Sequence, residues 1–464
     1  MQRRATAVCA AVLAATSLVG AVTGDALGPA VVPVLDRPAV APAPAQSVYV
    51  APTEVISISE RRGLSPATKS AADNVARALG VVPSYGRGFS VGMRGIRRGD
   101  TVTKQSTGTG WGFPVAVTAL PLQAIGTLMG RSVSGPVSTG IIVLSESSAA
   151  FHNAVVGDQF DLFDANMAVV SFTVGLVLPD AQVGGAEILM SYDQAAILGA
   201  STDTRIMLFG NFDHGWVNDV LWANGLVSGQ WLRVSRSWDS AGPDDTLSLL
   251  RTKQLLGEFD IYYAGLAASG WVARNPGWSA ANLPGAKRTY PGGVSALCHN
   301  TIHADLDAAL AEVLATMPSL VKYASGISNP NTFEGINVTN SNQYGGCATS
   351  SSARLSRISS GTGNVSRHSW GQAIDVSTIP NCQGCVPKLN CDIVRIFRKH
   401  NFAWGGNFLE PDGMHFEWVG EQRNLIQTNV NFCDNNPLPP VQSTYRPPPK
   451  SRDTLFADDG WMAE

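Results

Sequence analysis

Charge is scarce in this chain, and basic charge is not in excess. Charged residues make up 15% of its 464 residues, and the formal net charge is -3. A nucleic-acid-binding protein normally presents a basic face, so nucleic acid is not an expected partner. Long apolar runs are missing after the N-terminus. No later stretch approaches the roughly 20 apolar residues that a membrane-spanning helix needs. Cysteine is absent from the middle of the chain, with none between Cys9 and Cys298. What is present is 44% hydrophobic residues. That suits a folded body with sizeable cores, long enough for two or three domains of roughly 100–200 residues each.

The N-terminus supplies the one exception. Arg3 and Arg4 precede an apolar, small-residue run from Ala5 to Val22, followed by Gly24-Asp25. This is the pattern of a secretory signal peptide over residues 1–26; uncleaved, the same run would be an anchor. The expected location is therefore extracytoplasmic, secreted or at the cell envelope, with no membrane span after signal removal. Export changes how the cysteines read. Cys298, Cys347, Cys382, Cys385, Cys391 and Cys433 are six in number, and in an oxidising compartment disulfides are expected. Cys382-Gln-Gly-Cys385 has the spacing of half a zinc knuckle, but no matching pair follows. Cys298 and Cys347, which bracket a predicted helix, are expected to pair.

Residues 27–50 are Pro/Ala-rich and read as a linker. Residues 51–265 mix strand-like runs such as "TGIIVLSES" and "MAVVSFTVGLVLPD" with two helical patterns, "SPATKSAADNVARALG" and "DDTLSLLRTKQLLGEF". Clean βαβ alternation is missing, so an α+β domain is predicted. Gly/Pro punctuation over 266–295 suggests a second linker. A second body follows over 296–433. It opens with a helix on which Leu306, Ala309, Leu310 and Val313 share a face. Residues 434–464 are Pro-rich and then acidic, as in a disordered tail.

The first body shows no catalytic constellation. Gly108, Gly110 and Gly112 lack the strand–helix frame of a phosphate loop and read as a turn. His152 and His214 are isolated and expected at the surface or the core edge. His299 and His303 are expected at a helix start, and His400 at a helix end, where a cation suits the dipole.

Chemistry concentrates in "SRHSWGQAIDVS" and "WGGNFLEPDGMHFEWVGE". Alternate side chains of a strand share a face. Ile374 and Val376 would point into a core and Asp375 away from it. Met414, Phe416 and Trp418 would form one face of a second strand, and His415 and Glu417 the other. An acid on an apolar strand needs a partner. With His368, two histidines and a carboxylate are available, a donor set suited to catalytic zinc. Asp412 is then a candidate base, and Arg357 or Arg354 a candidate cation for the substrate. Gly371 removes bulk where the backbone must pass close. Ser366 is expected to order its turn, Trp370 and Trp404 to line a cleft or pack in the core, and Glu417 to support the site or face solvent.

These motifs resemble the D-alanyl-D-alanine carboxypeptidase/VanY-type zinc peptidases, in which a Ser-x-His and an Asp seven residues after the His precede Asp/Glu-x-x-His. Asp at 412 is similar to the L-alanyl-D-glutamate endolysin branch. The resemblance implies zinc ligands at His368, Asp375 and His415, Asp412 as general base, and Arg357 at the substrate, with Arg354 as the fallback. Arg354, Ser366 and Trp404 are candidate substrate contacts. It also implies a C-terminal zinc-peptidase domain, a small antiparallel sheet with packed helices, preceded by a separate α+β domain. The expected substrates are peptidoglycan stem peptides and the expected cofactor one zinc ion. The alternative is a zinc-containing envelope binding or scaffold protein without turnover, as in hedgehog signalling domains. Residues 141–198 also resemble the extracytoplasmic core of FtsX-like permeases, which implies an interaction module for an envelope protein within 51–265.

Overall fold

The computed structural model describes residues 52–60, 63–129, 140–229, 231–267, 270–276, 288–291, 294–296, 298–317, 365–376, 381–428 and 430–435. All of them belong to one compact unit, Tyr49–Glu464. The expected signal peptide, the 27–50 linker and nearly all of the 434–464 tail lie outside the described residues. None of the described helices is long and apolar enough to cross a membrane.

The first strands are β1 (Glu54–Glu60), β2 (Pro83–Arg98), β3 (Thr101–Gln105), β4 (Trp111–Leu120), β5 (Ile141–Ser145) and β6 (Gln159–Phe163). Next come β7 (Val169–Leu178), β8 (Ile188–Ser191), β9 (Arg205–Gly210), β10 (Leu232–Arg236), β11 (Ile261–Ala267) and β12 (Gly270–Pro276). The helices among them are α1 (Pro66–Leu79), α2 (Leu122–Met129), α3 (Glu146–His152), α4 (Tyr192–Ile197), α5 (His214–Ala223) and α6 (Leu249–Leu256). The two predicted helical patterns form α1 and α6. Ser65 caps α1 by accepting from the Thr68 N–H, and Gly80 ends it at a left-handed φ of 69°. Ser248 caps α6 in the same way.

The strands close into a barrel. β2 pairs with β6, and the path continues through β7, β5, β8 and β4; β4 then pairs back onto β2. The β5–β7 and β4–β8 pairs are parallel, and the rest of the ring is antiparallel. One strand of the ring passes close to aromatic side chains. A Cβ at Gly92 of β2 would lie 2.6 Å from the Tyr263 ring and 2.8 Å from Phe163. Glycine there leaves room for two buried aromatic rings.

His152 is not at the surface or core edge. Its side chain is buried, with Nε2 3.3 Å from Glu187 Oε2. The Lys253 ammonium, also fully buried, donates to Glu187 at 2.7 Å and to the Pro114 carbonyl at 3.0 Å. Burial opposes the charge on Glu187, but Lys253 and His152 outweigh it and hold the carboxyl down at about 2. His214 instead pairs with Glu54 at 2.7 Å and stacks on Trp238.

The segment 266–295 differs from the expected linker. β11 and β12 pair as a hairpin that joins β4, and β13 (Arg288–Tyr290) pairs with β14 (Val294–Ala296) in a second one. Among the described residues of this segment, Gly270 and Pro276 stand at the two ends of β12 and Pro291 directly follows β13. The second body then adds α7 (His303–Thr316), β15 (Ala373–Asp375), α8 (Cys391–Lys399), β16 (Phe402–Trp404) and β17 (His415–Trp418). β17 lies between β15 and β16 in an antiparallel sheet. Helix α8 packs on α7 and β16, and its Phe397 ring stacks on Phe416 at 4.1 Å. Leu306, Ala309, Leu310 and Val313 of α7 are buried as the periodicity predicts.

The two bodies are not separate. One apolar cluster runs from Val91 and Phe160 through Leu249, Leu256 and Phe259 to Trp370, Ile374 and Phe416. A buried ion pair reinforces it. The Asp244 carboxylate accepts from both Nε, at 2.9 Å, and Nη2 of Arg398. It also accepts from the Trp404 N–H at 3.0 Å and from Asn407 Nδ2 at 2.7 Å. The Cys391–Cys433 disulfide closes a loop with a sequence separation of 42, worth about 4 kcal/mol on the loop-entropy account. Cys298 is disulfide-bonded as well; its expected partner, Cys347, lies outside the described residues.

Arg398 has no exposed side-chain surface, so removing its carboxylate strands a buried cation. Asp244→Ala is expected to cost about 3–5 kcal/mol in urea unfolding. Adding Arg398→Met should recover part of that loss, because the two sites are coupled.

Candidate metal centre

The register of one strand pair builds most of the centre. Across β15 and β17, Asp375 lies opposite His415, Ile374 opposite Phe416 and Ala373 opposite Glu417. Directly opposed residues share a face, so Asp375 and His415 meet on one side. On the other, Ile374 and Phe416 are fully buried in the core. The alternation read from the sequence is the alternation in the sheet.

His368 comes from a 3-10 turn, Arg367–Trp370, just before β15. Ser366 caps it, its hydroxyl accepting from the His368 N–H at 3.4 Å. Gly371 ends it at a left-handed φ of 64°, and its N–H donates to the His368 carbonyl. Such a φ favours glycine, and the reversal returns the His368 ring to Asp375. The turn is docked onto the first body at three points. Arg367 Nη2 donates to the Leu247 carbonyl at 3.0 Å, and Trp370 Nε1 to the Gly257 carbonyl at 3.0 Å. The Phe259 and Trp370 rings meet at 4.6 Å.

The result is a trio. His368 Nε2 lies 3.2 Å and His415 Nδ1 3.3 Å from Asp375 Oδ1. One donor atom from each residue lies within 4.8 Å of the others. Tetrahedral zinc with arms of about 2.0–2.2 Å puts neighbouring donors roughly 3.3–3.6 Å apart. The trio fits such an ion in donor type, and its two His–Asp spacings lie close to those values. His368 Nδ1 is buried and has no hydrogen-bond partner among the described residues.

The remaining contacts support the trio. Glu417 is buried, not solvated; its Oε2 lies 3.6 Å from His415 Nε2. Its Oε1 accepts from Arg367 Nε at 3.3 Å and Gln372 Nε2 at 3.4 Å. A carboxylate on the second imidazole nitrogen fixes ring orientation. Neither Arg367 nor Gln372 was singled out from the sequence, although both flank the motif histidine. Asp412 lies in the turn before β17, and its Oδ1 is buried without a hydrogen-bond partner among the described residues. Burial, with Asp375 nearby, pushes its carboxyl up to about 6 despite the two histidines.

Other predicted residues fall elsewhere. Trp404 is fully buried, and its indole N–H donates to the Gly413 carbonyl at 2.9 Å. It packs beneath the turn that carries Asp412 rather than lining a cleft. Trp370 is likewise in the core. Arg354 and Arg357 lie outside the described residues. His299 caps a 3-10 turn by accepting from the Thr301 N–H, and His400 ends α8 and bonds Glu312 at 2.7 Å.

Burial works against charge on His415, but its bonds to Asp375 and Glu417 push it up to about 10. The metal-free centre therefore holds a proton at neutral pH. A cation must displace it, so affinity should fall as pH falls. Calorimetric zinc titration at pH 7 in buffers of different ionisation enthalpy is expected to show release of about one proton per ion.

No curated protein matches this chain. A family model does match, over residues 360–418, and that span contains His368, Asp375, Asp412, His415 and Glu417. The model is that of D-alanyl-D-alanine carboxypeptidase, and the likeness is to that segment of the chain.

Proposed function

We propose that this protein is a zinc peptidase that hydrolyses peptide bonds in peptidoglycan stem peptides. The observation that carries the reading is the His368–Asp375–His415 trio beside the buried Asp412, inside the segment that matches the carboxypeptidase family. His368, Asp375 and His415 would hold the ion. Zinc in such a site supplies an acidified water and a Lewis acid for the carbonyl oxygen.

The chain's own groups do the rest. Asp412 takes the proton of the attacking water and returns it to the leaving amine. A base works best when its pKa lies near the operating pH, and burial has moved Asp412 in that direction. Glu417 keeps the His415 ring aligned, backed by Arg367 and Gln372. Arg357, or Arg354 in its place, binds a substrate carboxylate or the developing charge on the carbonyl oxygen. We propose an extracytoplasmic location on the N-terminal signal pattern and on the Cys382–Cys385 and Cys391–Cys433 disulfides, which suit an oxidising compartment.

Purified muropeptides analysed by mass spectrometry test this. His368→Ala should lose both metal and hydrolysis. Asp412→Asn should keep one metal ion per chain and lose about 10²–10⁴ in kcat. The base must be ionised to act, so activity should rise with pH through an acid limb. That limb should lie at or below about 6, because a bound cation moves the Asp412 carboxyl down from its metal-free value. Wild-type rates in His368→Ala, or an intact zinc-loaded protein that releases no product, would overturn the reading.

A further inference from the structure

The Asp412 side chain has no partner at Oδ1 among the described residues, so its aim depends on how its backbone is held. On one side its N–H donates to the Gly405 carbonyl at 2.8 Å. On the other side stands a short loop closed on itself by the Cys382–Cys385 disulfide, at a sequence separation of 3. Gln383 forms an antiparallel bridge with Asp412 itself. The Gly384 N–H donates to the Pro411 carbonyl at 2.6 Å, and the Met414 N–H to the Asn381 carbonyl at 3.1 Å. Asn381 Oδ1 accepts from the Lys388 N–H at 2.7 Å, which anchors the start of the loop. A Cβ added at Gly413 would lie 3.2 Å from Asn381, so turn and loop are already in contact. The turn Pro411–Met414 is thus gripped along its length by residues 381–384.

The metal donors are held by other means. Asp375 and His415 are fixed by the β15–β17 register, and His368 by its capped turn and by the first body. The base is held mainly by the loop and the ion mainly by the sheet, and the two supports meet where the His415 N–H donates to the Asp412 carbonyl at 3.1 Å.

We propose that the disulfide-closed loop Asn381–Cys385 is a positioning element for Asp412, which sets the rate of proton transfer while leaving the metal site intact. The proposal rests on the reading of Asp412 as the base. The disulfide confines the loop to the conformation in which Gln383 and Gly384 meet the turn. Without it, the turn can drift from the attacking water, and a misplacement of about 1 Å can cost about 10²-fold in rate.

The test uses the full chain with the double variant Cys382→Ser/Cys385→Ser, loaded with zinc for kinetics and with cobalt for spectra. The expected result is a kcat lower by up to about 10²-fold, with KM, metal stoichiometry and the visible cobalt spectrum as in wild type. Amide exchange at Met414 and Gly384 should speed up. A second variant, Gly384→Ala, keeps both sulfurs but strains a position at φ +81°. It should show the same split to a smaller degree, and it carries the test if the double variant does not fold. Unchanged kcat in a protein proven to lack the disulfide would overturn the proposal. So would loss of the cobalt spectrum in step with kcat. If the wild-type protein hydrolyses nothing, the peptidase reading falls, and exchange alone decides the positioning element: wild-type protection at Met414 in the double variant refutes it, and lost protection supports it.

Discussion

Asp375 is a carboxylate with almost no access to water, and it stays ionised because two imidazoles face it. Burial alone would neutralise it; His368 and His415 drive it well below the usual carboxylate range. Each neighbour is tied to this pairing. His415 can face Asp375 only in the observed strand register, since a slip of one residue would turn it into the core. That register also buries Ile374 and Phe416, so apolar burial and donor alignment favour the same structure. His368 completes the set through the left-handed turn at Gly371.

Support for the trio extends well beyond the matching segment. The turn that bears His368 hangs from the Leu247 and Gly257 carbonyls and rests on Phe259. The edge strand β16 and helix α8 are tied through Asp244. These anchors come from the end of the first body, α6 and its flanks. The barrel contributes to the same apolar cluster on which the centre rests.

How much of this was legible in the sequence depends on the range of the interaction. Alternation in "AIDV" and "MHFEW" is local, and it gave both strands and the face that Asp375 and His415 share. The turn ordered by Ser366 was equally local. Asp244 was invisible because its partner Arg398 lies 154 residues away, and no periodicity marks a buried aspartate in a turn. Glu187, Lys253 and His152 were missed for the same reason: each looks like an ordinary polar residue until the barrel closes. Trp404 was ambiguous because a tryptophan beside glycines fits a cleft or a core, and only packing decides. The segment 266–295 misled because its described glycine and prolines, Gly270, Pro276 and Pro291, stand at strand ends.

The ion pair between Asp244 and Arg398 bears on how such a centre can be inherited. Residues 360–418 carry the recognisable pattern, yet the carboxylate that pairs with the buried Arg398, within that span, is Asp244 from far upstream. A shuffled gene that transferred the pattern alone would deliver an unanswered cation and a tryptophan, Trp370, without its carbonyl acceptor. Moving this segment without the upstream turn would call for a neutral residue in place of Arg398.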